Sequence, residues 1–155
     1  MGFAEAVKAC MTTRYAAFKG RAARSEYWWF SCFSLLIYSF ACVPLVVIAA
    51  NEQEAGRRPQ DSSAFILFAA LLALCFLALL LPTLSVSVRR LHDLDWSGWW
   101  YLTLLVPYLG SIAALVMLVA FCFRGASGDN RFGEDPLLPT AEKRARELSS
   151  ESRKS

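Results

Sequence analysis

The sequence predicts an all-α integral membrane protein. It has three hydrophobic helical segments, an N-terminal interfacial amphipathic helix and a polar C-terminal tail. Three observations carry this. Of 155 residues, 56% are hydrophobic and only 19% charged, against about 25% charged in an average soluble domain. The charges are segregated, with no Lys, Arg, Asp or Glu anywhere in residues 28–50, 64–88 or 99–123. Each of these stretches holds 23 or 25 residues, enough for a helix to cross a hydrocarbon core about 30 Å thick. An ordinary soluble globule, a basic nucleic-acid-binding domain and a secreted disulfide scaffold are excluded, so no nucleic acid is expected as a partner.

The lead-in, residues 1–27, places Phe3, Val7, Cys10, Met11, Arg14, Tyr15 and Phe18 at helical spacing, as a helix lying in the membrane interface requires. Gly20 is expected to end that helix and Ser25 to cap the first span, followed by the aromatic belt Tyr27-Trp28-Trp29. The first apolar run has 23 residues, longer than the roughly 7–15 of a signal peptide, and reads as an uncleaved span. A short polar loop, 51–63, leads to the second span. That span runs through Pro82-Thr83-Leu84-Ser85-Val86-Ser87 into Arg89-Arg90-Leu91-His92-Asp93. Asp95 or Ser97 is expected to cap the third segment behind a second belt, Trp99-Trp100.

Each apolar segment carries one proline, Pro44, Pro82 or Pro107. A proline frees a backbone carbonyl that lipid cannot satisfy, and Thr83, Ser85 and Ser87 are at hand to answer the one below Pro82. The five cysteines show no Cys-x-x-Cys spacing and read as small apolar packers. Residues 1–136 form one membrane domain, and 137–155 a polar, charge-alternating tail expected to be largely disordered.

Three clusters together resemble a known family: Gly20-Arg21-Ala22-Ala23-Arg24-Ser25-Glu26-Tyr27-Trp28, then Arg89-Arg90-Leu91-His92-Asp93 with Ser97-Gly98-Trp99-Trp100, and last Gly128-Asp129-Asn130-Arg131-Phe132-Gly133-Glu134-Asp135-Pro136. In this order they look like the small bacterial inner-membrane proteins grouped as "domain of unknown function 805". The resemblance covers residues 10–136. Trp96 and Ala126 depart from the usual pattern, where a small or polar residue and a threonine are more common. The resemblance implies membership and a multi-pass inner-membrane location, and it carries no activity with it.

Ionisable residues beside membrane spans are costly and invite a functional reading. Arg21, Arg24, Arg89, Arg90 and His92 are candidates for binding an anion or a lipid headgroup through guanidinium forks. Glu26, Asp93, Asn130, Arg131 and Asp135 are candidates for a structural charge network. Within it, Arg21 and Arg24 would pair with Asp93 or Asp95, Glu26 with Arg89 or Arg90, and Arg131 with Asp135 or a neighbouring carboxylate. Asn130 is expected to form a turn through its amide. The segment 125–136 has oxygen ligands but lacks calcium-loop spacing, so no metal and no cofactor is expected.

Two topologies compete. Three spans with Pro107 as a kink are favoured, which would put Asn130 and Arg131 across the bilayer from His92. In the rival, Pro107-Tyr108-Leu109-Gly110 breaks the third segment into a re-entrant hairpin and all three clusters share the cytoplasmic face. The leading function is non-enzymatic: a basic interfacial cap that binds lipid headgroups or a partner protein. The alternatives are a subunit of a small homo-oligomeric transporter or channel, and a membrane enzyme using His92 with Asp93 as an acid–base pair.

Overall fold

The computed structural model describes residues 1–138, so the expected polar tail lies outside the described residues apart from Leu137 and Leu138. The described chain is all-helical: α1 (Phe3–Met11), α2 (Arg24–Glu54), α3 (Ser63–Asp93) and α4 (Leu109–Cys122), with 3-10 helices at Pro59–Asp61 and Gly98–Leu105. It divides into two units, residues 1–18 with 25–87, and residues 19–24 with 88 onwards.

In the first unit, α2 and α3 are each 31 residues long, about 46 Å at 1.5 Å per residue. Both are long and apolar enough to cross a membrane, and only 11% and 6% of their most apolar windows are buried. The core helix of a soluble protein would be mostly covered, so these surfaces need an apolar solvent. Tyr38 of α2 and Phe76 of α3 bring their rings to 6.5 Å.

The lead-in helix is shorter than its periodicity predicts. It ends at Met11 rather than Gly20, because Thr12 and Thr13 turn their hydroxyls onto the Lys8 and Ala9 carbonyls at 2.6 and 3.3 Å, competing with the backbone ladder. Its buried face is Ala6 and Cys10, and Phe3 meets Trp29 edge-on at 5.7 Å. Ser25 does not cap α2, which begins one residue earlier at Arg24. The free cysteines also depart from expectation: Cys10 is buried, but Cys32, Cys42 and Cys122 are exposed on the bare protein.

Pro82 lies inside α3 and lacks the N–H that would bind the carbonyl four residues back, that of Ala78. The Tyr15 hydroxyl takes that oxygen at 2.6 Å. The local hydroxyls go elsewhere: Ser85 donates to Arg14 O at 3.0 Å and Pro82 O at 3.4 Å, and Ser87 donates to Thr83 O at 2.7 Å.

In the second unit, α3 closes with Asp95 N donating to His92 O at 3.1 Å and Trp96 N to Leu91 O at 2.9 Å. This is a Schellman arrangement, with Asp95 at φ +60 where glycine is usual. Ser97 then caps the second 3-10 helix, as one of the two residues proposed for it, accepting from Trp99 N at 3.5 Å.

Segment 99–123 is not a single kinked helix. Residues 98–105 wind as a 3-10 helix, Val106 is extended (φ −81, ψ 122), Tyr108 takes φ +64, and α4 begins at Leu109. Pro107 disfavours the helical conformation at Val106 and supplies no N–H. Gly110 lets the chain fold back, since a Cβ there would collide with the Leu104 carbonyl. The 14 residues of α4 reach only about 21 Å, short of a core about 30 Å thick.

Candidate functional site

The polar residues of the second unit converge on Asp93. As the last residue of α3, it lies where the helix carbonyls run out of partners and cations are favoured. Arg21 reaches it from the stretch before α2, with Nε and Nη2 both 2.9 Å from Oδ1. Arg90, one turn back on α3, donates to Oδ2. One carboxylate thus holds two guanidinium groups, and all three side chains are nearly sealed, at 1%, 0% and 4% exposure for Arg21, Arg90 and Asp93.

Most of the remaining donors are spent on backbone carbonyls, while the buried Nε of Arg90 has no hydrogen-bond partner among the described residues. Arg21 donates to Ala126 O and to Gly128 O. Arg90 Nη2 donates to Phe121 O at 3.1 Å and to Phe123 O, and exposed Arg24 donates to Cys122 O at 3.2 Å. These three oxygens are the orphan acceptors at the C-terminal end of α4, the negative end of its dipole. The backbone seals the assembly further: Ala22 N donates to Arg89 O at 3.0 Å and Ala126 N to Asp93 O at 2.8 Å. Gly125 is pressed against the Asp93 carboxylate, where a Cβ would overlap the oxygens.

The Gly128–Pro136 turn locks onto the same end of α3. Asn130 Nδ2 donates to His92 O at 2.8 Å while its Oδ1 accepts from Phe132 N at 2.9 Å, so its role as a turn former holds. His92 stacks on Phe132 with centroids 4.0 Å apart, and its Nδ1 lies 3.2 Å from Gly20 O. A carbonyl only accepts, so the neutral ring donates there. Both oxygens of Asp93 face arginines, so His92 and Asp93 do not form the acid–base pair the enzyme reading needs.

Arg131 pairs with Asp95, not with Asp135. Its Nε lies 3.2 Å from Oδ1 and its Nη2 donates to Asp95 O at 2.8 Å. Asp135 instead accepts from Gly128 N at 3.1 Å and Leu137 N at 2.8 Å. Burial pushes the Asp135 carboxyl up, but those two N–H groups and the charges of Arg21 and Arg124 outweigh it and hold the group below the usual carboxylate range.

Arg21, Arg24, Arg90, Asp93, His92, Asn130, Arg131 and Asp135 belong to one hydrogen-bonded unit, which also takes the main chain of Arg89. In the first unit, buried Glu26 accepts from Arg14 Nη1 at 2.8 Å. The expectation that Asn130 lies across the bilayer from His92 is corrected, since the two are bonded. The contact of Gly125 with Asp93 and the acceptor role of the carbonyls of residues 121–128 are not legible in the sequence. A glycine beside a charged turn was the one available hint, because backbone acceptors leave no signature in side-chain chemistry.

Two apolar helices of spanning length and a polar unit whose charges answer one another define an integral membrane protein. The chain belongs to the family described as "Protein of unknown function (DUF805)", matched over residues 15–134. Among curated relatives it is 37% identical to the inner membrane protein YhaI of Escherichia coli over 122 residues, 79% of this chain and 87% of that one. It is 35% identical to the inner membrane protein YhaH of the same organism over 124 residues, 80% and 90% of the two chains. It is 27% identical to YiiR of Escherichia coli, described as uncharacterized, over 146 residues, 77% and 85% of the two chains. No solved structure matches.

Proposed function

We propose that the protein crosses the inner membrane twice, through α2 and α3. In this reading residues 98–122 form a re-entrant arm, and the Arg21–Asp93–Arg90 clasp anchors it at the cytoplasmic face. The function is non-enzymatic: a membrane-embedded scaffold with a fixed basic rim. The observation that carries this is the near-saturation of the clasp, in which one carboxylate and four carbonyls take every donor of Arg21 and Arg90 but the Nε of Arg90. A nucleophile, base or substrate pocket needs uncommitted groups. Contact with anionic headgroups then falls to exposed cations of the rim rather than to Arg21 and Arg90.

The charge distribution supports the topology. Of sixteen Lys and Arg residues only Arg57 and Arg58 lie between α2 and α3, so two spans leave fourteen on the side of the termini. Positive charge favours the cytoplasm, and the three-span arrangement gains no such asymmetry. The short α4 supports it too, as does Pro107 at the tip of the arm.

The test is a compartment-sensitive reporter inserted after Gln60 and, separately, after Ser155. Opposite sides are expected, with Ser155 cytoplasmic. The same side for both would overturn the re-entrant arm and restore three spans.

A further inference from the structure

Between the second 3-10 helix and α4 lies an apolar groove of about 430 Å³. Trp96 and Trp100 wall one end, and Val106, Leu109, Ala113 and Val116 line the rest. Its lining is almost wholly carbon. The hydroxyl of Thr103, the polar side chain in it, is already donated to Trp100 O at 2.6 Å.

The end at Trp96 is different. The preceding residue is Asp95, whose carboxylate and carbonyl both hold the Arg131 guanidinium. Arg131 is also stacked over Phe132, at 4.7 Å from Cζ to the ring centroid, and that ring is stacked on His92. The cation is therefore fixed in place, yet its side chain remains 62% exposed. Its Nη1 has no partner among the described residues, which leaves a fork able to bind a phosphate oxygen.

We propose that this groove and Arg131 form a site for one anionic phospholipid. An acyl chain lies between the tryptophans and α4, and the phosphate rests on Arg131 Nη1. The inference rests on the re-entrant reading only in needing the groove to face the bilayer. The chemistry matches at both ends: a carbon-lined trench takes a hydrocarbon chain, and a fixed, exposed guanidinium at its tryptophan rim takes an anion at headgroup level. Asp95 aims the guanidinium and lowers the local net charge, so one phosphate is accommodated rather than a cloud of counter-ions.

The full chain, purified in mild detergent, is incubated with equal amounts of phosphatidylglycerol and phosphatidylcholine, and retained lipids are counted by native mass spectrometry. One phosphatidylglycerol per chain is expected, at several-fold higher occupancy than phosphatidylcholine. Arg131→Gln should lower that occupancy about tenfold, the equivalent of roughly 1.4 kcal/mol, while Arg131→Lys retains part of it. Ala113→Phe fills the groove from the α4 wall and should lower retention of both lipids. Each variant is scored only as a monodisperse protein, and because one alters the cation and the other the apolar wall, loss of one to misfolding leaves the other as a test. Equal retention of the two lipids, or unchanged phosphatidylglycerol in both variants, overturns the site. So does a dimer that Ala113→Phe dissociates, since a second copy would then fill the groove. The reporter experiment reads topology separately, so a chain that re-enters without retaining lipid fails only this proposal.

Discussion

Arg21 and Asp93, 72 positions apart in sequence, meet at 2.9 Å with both side chains almost sealed from solvent. Arg90 completes a triad around the same carboxylate. Isolated buried charges are expensive, and a buried pair stabilises only when its other donors are also answered. Here all but the buried Nε of Arg90 are, by the α4 carbonyls and by Ala126 and Gly128, which makes the triad intolerant of partial removal.

Asp93→Ala should therefore leave two buried cations facing each other and cost about 3–5 kcal/mol. Thermal unfolding of the purified protein in detergent reads this as a large fall in Tm or as loss of folded yield. The double variant Arg21→Met/Asp93→Leu should be less damaging than Asp93→Ala, because it removes charge along with its partner. Equal or greater damage in the double variant would mean that the fold depends on something other than charge matching.

Gly125→Ala should rank with the loss of a triad member, since its Cβ would overlap the Asp93 carboxylate. Gly128→Ala meets no atom but sits at φ +79, so its cost should be near the roughly 1–2 kcal/mol of a left-handed residue. The order of the two Tm values is the measurement, and a reversed order would refute the close approach of Gly125 to Asp93.

Tyr15→Phe should cost about 1 kcal/mol by removing the donor from the Ala78 carbonyl. The same change made in a Pro82→Ala background should cost little, because an alanine N–H restores the helical bond that Pro82 lacks. A double-mutant cycle of unfolding free energies reads the coupling, and additive effects would detach the hydroxyl from the proline.

Acid should loosen the Gly128–Pro136 turn. The folded Asp135 carboxyl titrates below its ordinary range, so its stabilisation is complete above the unfolded value near about 4 and is lost as pH falls through the lowered folded value. Asp135→Asn should flatten the acid arm of a stability-against-pH curve and leave the neutral arm parallel to that of the unaltered protein. An unchanged acid arm would assign the effect to other carboxylates.

The class of protein was legible in the sequence because lipid imposes a linear requirement: a run of apolar residues long enough to cross is visible without any tertiary contact. The turn chemistry of Asn130 and the capping role of Ser97 were legible for a similar reason, as both act on backbone a few residues away. The partner of Arg131 was not, since Asp95 and Asp135 are equally acidic in sequence and only the path of the chain brings one of them near. The same holds for Tyr15 and Ala78, whose bond depends on an oxygen that a proline frees, 63 positions from the hydroxyl that takes it. The ambiguity of residues 99–123 has a physical source. Length and apolarity describe both a kinked span and a hairpin, and the distinction lies in backbone angles at Val106, Tyr108 and Gly110 that are fixed only when the arm packs against itself. Composition and charge placement along the chain suffice to assign it to a membrane and to say which charges flank its apolar runs. Tertiary structure decided which charges face one another, because pairing energies of buried ions depend on distance and desolvation, and neither is written along the chain.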